Sequence, residues 1–300
     1  MKHTFIILTL LFSGFANAQN INRKQLLRDV EVLSSDVYEG RKTGTAENKM
    51  AAKYIVERFK NIGLTFYQDS FKHPFTFTNK KGESLNGSNL IGYIKGRKND
   101  VIIISAHYDH IGITNYLINN GADDNASGVS ALLAMAEYFK LHKPKNTLVF
   151  IAFDAEESGL NGSYAYLKNT VLDSKRIKMN LNMDMISHND KGELYAAGAY
   201  KAPVLKEILA EADKDTGVKI LFGHDEPKMG TGDWTMQSDQ GPFSQQNIPF
   251  IYFGVENHKD YHKPTDEYKN INKDFFFGAS NAILNSAIAI DKKLKKVKNK

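Results

Sequence analysis

The sequence predicts an α/β fold, a three-layer sandwich in which a central, mostly parallel mixed β-sheet carries helices on both faces. Three observations lead there. Three short runs, "DVIIISAH", "TLVFIAF" and "IPFIYFG", read as near-continuous apolar strands, the pattern of strands buried on both faces, and "IKMNLNM" reads as a further strand that ends in polar residues. Amphipathic helical stretches lie between them, so strands alternate with helices. At 300 residues and 42% hydrophobic content, the chain has enough apolar material for one large core.

The elements follow in order. Residues 22–34 and 45–62 both show helical spacing; in the second, Ala51, Ala52, Ile55, Phe59 and Ile62 share a face and Gly63 stands where a C-cap belongs. "FKHPFTFT" and "NLIGYIKG" read as strands, and "DVIIISAHYDH" as a buried strand whose polar end opens onto a site. "VSALLAMAEYFKLH" is an amphipathic helix, "KNTLVFIAFDAEES" a second buried strand and "GSYAYLKNT" the start of another helix. A third strand in "IKMNLNMDMIS", a helix in "VLKEILAEADKDTG", a fourth strand in "IPFIYFGV" and a last helix over about 273–294 complete the series. Residues 222–247, rich in glycine, form the longest irregular stretch and a candidate substrate loop.

The ends read differently. "MKHTFIILTLLFSGFANAQN" has a positive start, an apolar run from Phe5 to Phe15 and an Ala16-Asn17-Ala18 cleavage site, the order of a secretory signal peptide. Residues 1–18 are therefore expected to be removed, and the chain to be exported to periplasm or medium. Residues 19–294 are expected to form a single domain, and 295–300 a lysine-rich frayed tail. No other segment approaches a transmembrane length, so no membrane span is expected after cleavage. The net charge of +5 is mild, and six lysines crowd the last ten residues. With no basic face in the body, nucleic-acid binding is not expected. The chain has no cysteine, hence no disulfide; a metal must be held by histidines and carboxylates, which favours catalytic zinc, or manganese and related ions.

Ligand-type residues stand at the strand ends: His107, Asp109 and His110 in "HYDH", Glu156 and Glu157 in "DAEES", and Asp184 in "NMDM". Tyr261 and His262 follow the fourth strand in "DYHKPTDEY", and Asp123 and Asp124 lie in "GADDNASGVS". Singly, each has an ordinary explanation as a loop, a helix-dipole partner or a cap. Together they gather carboxylates on one sheet edge, where mutual repulsion is costly unless a cation sits among them.

In order, "AHYDHIG", "GADDNASGV", "DAEESGLNGS", "NMDM", "SDQGPF" and "YHKPTDE" resemble the motifs of the secreted dinuclear zinc aminopeptidases, the group of aminopeptidase Y and the bacterial leucyl aminopeptidases. The resemblance spans about residues 28–275 and implies a zinc-exopeptidase-like fold and hydrolysis of N-terminal residues from peptides or dipeptides. It implies two Zn2+ ions, with Co2+ or Mn2+ as substitutes. Asp124 would bridge them, His107 and Asp184 would complete one site, and Glu157 and His262 the other. Glu156 would be the general base, Asp109 would hold the far nitrogen of His107, and Tyr261 would stabilise the oxyanion. It also implies a cis Asp124–Asn125 peptide, and leaves Asp123 as a turn or capping residue. Where the family often has histidine after the Ser-Asp pair, this chain has Gln240.

Two rival readings remain open. A glutaminyl cyclase, with a single zinc, shares the fold; against it, "EESGLNGS" is short and Tyr261 stands where cyclases carry tryptophan. A non-catalytic binding module on the same scaffold would have lost ligands, and all five are present here.

Overall fold

Eleven strands and seven α-helices run along the residues that the computed structural model describes, 21–170 and 173–300. The expected signal peptide lies outside them. The centre of the sheet is parallel. β4 (Lys98–His107) lies between β7 (Asn146–Phe153) and β8 (Ile177–Met183), and β11 (Phe250–Gly254) adds on the far side of β8. The register brings the strand ends level: His107 lies opposite Phe153, Ser105 opposite Asn182, and Phe253 opposite Met183. Residues that leave these strands therefore emerge side by side.

Antiparallel strands flank this centre. β3 (Ser84–Ile94) pairs with β7 and carries β1 (Thr65–Phe66) and β2 (Lys72–Thr78). On the other side β9 (Glu193–Ala197) runs antiparallel to β11, and β10 (Lys219–Phe222) runs parallel to β9. β5 (Gly112–Thr114) and β6 (Leu117–Asn119) make a separate hairpin.

Alternation along β4 divides the core between two faces. Ile102, Ile104 and Ala106 pack under α1 (Arg23–Leu33), α2 (Ala46–Ile62), α3 (Gly128–Leu141), α5 (Val204–Leu209) and α7 (Lys273–Lys293). Val101 and Ile103 face α4 (Asn161–Lys168) and α6 (Gln240–Gln245) through Tyr166, Leu167 and Phe243. Each fully buried valine, isoleucine, leucine or phenylalanine among them contributes about 1.5–3 kcal/mol of hydrophobic stabilisation. The three layers are those the sequence predicts. The helix ends are also as read: the Thr45 hydroxyl accepts from the Asn48 amide at 3.1 Å, and Gly63 closes α2 with φ +78°.

Three regions differ from expectation. The helix expected over 204–217 stops at Leu209, because Asp213 turns the chain back by accepting from the Ile220 amide at 2.9 Å. The stretch 222–247 is not wholly irregular, since α6 lies within it. The end of the chain, expected to fray, is held down. Leu294 and Val297 are buried between the lysines, the Lys300 amide donates to the Lys201 carbonyl at 2.9 Å, and Asn299 donates to the Asn247 carbonyl at 3.0 Å. No described helix is long and apolar enough to cross a membrane.

Candidate active site

The residues that leave the four central strands, with the turn before α3, line a cavity of about 310 Å³. His107 ends β4, Asp184 follows β8 directly, Glu156 and Glu157 follow β7 after a short turn, and Tyr261 and His262 come from the loop after β11. The chain bends sharply to present them. Ala155, Met185 and His262 take left-handed conformations, with φ of +59°, +60° and +54°. Such conformations cost of order 1 kcal/mol or more for a residue with a side chain, and they cluster at functional sites.

Asp124 stands at the centre. Its Oδ1 lies 3.3 Å from His107 Nε2, which is 3.2 Å from Asp184 Oδ1. Its Oδ2 lies 3.1 Å from His262 Nε2, which is 3.5 Å from Glu157 Oε1. One carboxylate thus faces two donor groups, each an imidazole and a second carboxylate. Tetrahedral zinc with bonds of about 2.0–2.2 Å spaces its donors roughly 3.3–3.6 Å apart, so the set fits the metal chemistry that the sequence implies. The Asp124–Asn125 peptide is cis, as expected. The Asn125 side chain ties this turn to the sheet, donating to the Met183 carbonyl at 2.9 Å and accepting from the Gly128 amide at 2.9 Å.

Burial opposes charge on these carboxyls, and their neighbours decide the result. His110, His107 and His262 hold the Asp124 pKa well below its ordinary value despite that burial. Burial, reinforced by Asp184 and Glu157 and opposed by His107, pushes Glu156 well above its own. Burial raises Asp184, again against the pull of His107. His262 is disfavoured as a cation by burial, yet hydrogen bonds to Asp124 and Glu157 lift its pKa to about 10. Burial and the neighbouring Asp124 raise Tyr261, whose ring stacks on His262 at 3.9 Å.

Asp109 departs from its expected place. His107 Nδ1 lies 3.1 Å from the Asp109 backbone carbonyl and 3.7 Å from its carboxylate, so the backbone is the nearer partner. The carboxylate instead accepts from the amides of Glu156 and Glu157, at 3.0 and 3.3 Å, and so anchors the glutamate pair. Asp123 is not a helix cap. It is fully buried and accepts from the Ser187 amide at 2.6 Å, the Ser187 hydroxyl at 2.8 Å and His258 Nε2 at 2.9 Å. Gln240 points inward: it donates to the Trp234 carbonyl at 2.7 Å and accepts from Asn182 at 2.9 Å, which pins the 222–247 stretch to β8.

Further residues gather around the site, of which the sequence reading names His110 among the strand-end residues but gives it no role, and passes over Arg41. His110 is fully buried, with Nδ1 2.8 Å from Glu157 Oε1 and 3.8 Å from Asp124 Oδ2. The "HYDH" motif carried that signal. Arg41, also buried, donates to the carbonyls of Tyr108 at 2.8 Å, Leu33 at 2.6 Å, Asn120 at 2.6 Å and Gly121 at 2.9 Å. Asp266 accepts from the Asp123 and Asp124 amides at 2.8 and 3.0 Å; burial and the Asp123 charge push its pKa up to about 7. Burial does the same to Asp239 in "SDQGPF". A third histidine–carboxylate group, His188, His258 and Asp260, lies behind Asp123. Its imidazoles stack at 3.8 Å with an interplanar angle of 20°.

Comparison with known proteins gives the family. Residues 89–287 match the model of peptidase family M28. Aminopeptidase YwaD of Bacillus subtilis (strain 168) is 32% identical over 265 residues, covering 84% of this chain and 54% of that protein. The chain spans little more than half the length of the first curated relatives it matches. Among solved structures, BSAP, a zinc aminopeptidase from Bacillus subtilis, is similar with a TM-score of 0.74 at 18% identity, over 94% of this chain and 97% of that one. Porphyromonas gingivalis glutaminyl cyclase is equally similar in fold, with a TM-score of 0.74 at 17% identity over 90% and 99% of the two chains. At such identities the solved structures speak for the fold alone, and the family follows from the sequence match over most of the chain: this protein belongs to peptidase family M28.

Proposed function

We propose that this chain is an exported, zinc-dependent aminopeptidase that removes N-terminal residues from peptides. The observation that carries the reading is the Asp124 carboxylate, divided between His107 with Asp184 and His262 with Glu157, beside Glu156 in one cavity. His107, Asp124 and Asp184 would hold one Zn2+, and Asp124, Glu157 and His262 the other, with Co2+ or Mn2+ as substitutes. Such a pair of ions, when bound, supplies Lewis acidity toward a carbonyl and brings water toward ionisation near neutral pH. Export rests on the signal peptide read in residues 1–18.

The protein's own groups do the rest. Glu156, its pKa raised by burial, takes the proton from the attacking water and returns it to the leaving amine. Asp109 holds the amides of both glutamates and so fixes where the base stands. The Tyr261 hydroxyl donates to the developing oxyanion. The acidic cluster receives the free α-amine of the substrate, and Met185, Trp234, Met236 and Val255 offer an apolar wall for its first side chain.

The test compares leucyl-nitroanilide with its N-acetylated form and assays pyroglutamate formation from N-terminal glutamine. Hydrolysis only of the free amine is expected, with Glu156→Gln retaining metal while losing about 10²–10⁴-fold in rate. Glu156→Gln at wild-type rate would remove the assigned base. Cyclisation without hydrolysis would identify a glutaminyl cyclase.

A further inference from the structure

We propose that the cleft continues into a carboxylate-binding subsite, built by Lys42, Lys80 and Lys81, that grips the leaving portion of the substrate. The proposal rests on the aminopeptidase reading and names the substrate class: short peptides bearing a carboxylate one or two residues beyond the scissile bond.

Lys80 lines the catalytic cavity and also a second cavity of about 460 Å³, which Lys42 and Lys81 line as well. Glu157 is the other side chain common to both, so the second cavity opens from the edge of the catalytic centre. Among the described residues none of the three lysines has a carboxylate within ion-pair distance. Glu83, the nearby acid, is engaged by the Asn79 side-chain amide at 2.7 Å. The lysines therefore present positive charge that no ion pair engages, in a cavity that Glu83 and Glu157 also line.

The turn that carries two of them is built rather than loose. Asn79 Oδ1 accepts from the Lys81 and Glu83 amides at 3.0 and 2.9 Å, its backbone carbonyl accepts from the Gly82 amide at 2.9 Å, and its backbone amide donates to the Glu83 carbonyl at 2.9 Å. Lys42 follows Arg41, which four backbone carbonyls hold in place, and its aliphatic stem lies against Gly112.

Direction follows from chemistry. The apolar wall adjoins Asp184, through Met185, and suits the N-terminal side chain. The path past Glu157 and Ser158 remains for the leaving peptide, and it ends at the lysines. An extended residue spans about 3.3–3.6 Å, so a leaving group of one or two residues extends its carboxylate toward the cavity that shares Glu157 and Lys80 with the catalytic one. That carboxylate is either a peptide C-terminus or an acidic side chain.

The experiment uses the zinc-loaded chain with three substrates: Leu-Gly-Gly as free acid, Leu-Gly-Gly amide and Leu-Asp-Gly amide. The free acid is expected to exceed the amide in kcat/KM by about three- to tenfold at low salt, through KM, and the advantage should shrink as salt rises. Lys80→Glu should bring the ratio to one or below. Recovery of the advantage in Leu-Asp-Gly amide would show that an acidic side chain serves; no recovery would assign the site to the C-terminus. Equal rates for acid and amide in the wild type, with leucyl-nitroanilide still hydrolysed, would overturn the subsite alone. An acid-to-amide ratio that persists in Lys80→Glu would overturn it too. Failure to hydrolyse leucyl-nitroanilide would overturn the aminopeptidase reading and the subsite with it.

Discussion

Arg41 donates to four backbone carbonyls from three separate segments, among them Tyr108 beside His107 and Gly121 before the Asp123–Asp124 turn. Burial opposes its charge and brings its pKa down to about 10, with Asp124 and Asp266 holding it up. Arg41→Met would leave those carbonyls without donors, at about 1–3 kcal/mol for each that water cannot reach. A loss of several kcal/mol in urea unfolding is expected; a loss under about 0.5 kcal/mol, the range of neutral surface changes, would show that the clamp is dispensable. The contrast with His107, Glu156, Glu157 and Asp184 shows what a sequence makes visible. Those residues have ligand chemistry and follow apolar runs, so type and position both speak. Arg41 bonds to backbone carbonyls that only the folded chain brings together, and nothing in "EGRKTG" marks it. Asp109 lies between these cases: its place in "HYDH" was legible, but its hold on the glutamate amides was not.

At the level of elements, the turn from β7 into α4 sets the position of the glutamate pair, and Gly162 is its tightest point. A Cβ there would lie 2.1 Å from the Asp154 carbonyl oxygen and 2.5 Å from Asn89 Oδ1. Gly162→Ala must push α4 away from the strand end, which is expected to cost about 1–3 kcal/mol and to lower activity through displacement of Glu156. Unchanged thermal unfolding and unchanged turnover would contradict this. The long elements were legible because their patterns run for seven or more residues, as in α2, α3, β4 and β7. β9, β10 and α6 run for 5, 4 and 6 residues, too few for a period to emerge; β9 and β10 are placed by pairing with β11 and with each other. The helix read past Leu209 failed for a related reason: Asp213 offers the backbone a local partner that competes with the helix.

At the scale of the whole molecule, charge and metal are linked. Without metal, His107 has its pKa raised well above the ordinary 6.5 despite burial, through Asp184 and Glu156, and His262 is lifted to about 10. The His262 contribution to stability in the metal-free chain is then full below about pH 6.5 and is lost as the pH rises through about 10. Zinc needs both rings unprotonated, so loading should release about two protons per chain and tighten as the pH rises. Calorimetric titration in two buffers of different ionisation enthalpy checks this, and an identical heat in both would contradict it. Metal that binds only the folded state should also raise its unfolding temperature, and chelation should reverse the gain.

The central claim is that one carboxylate, Asp124, joins two metal sites. Metal content per chain, on protein purified without chelator, tests it most directly. Two zinc ions per chain, with hydrolysis of leucyl-nitroanilide abolished by chelation and restored by zinc, is the result expected of a dinuclear aminopeptidase. One ion per chain, or full activity with none, would contradict it.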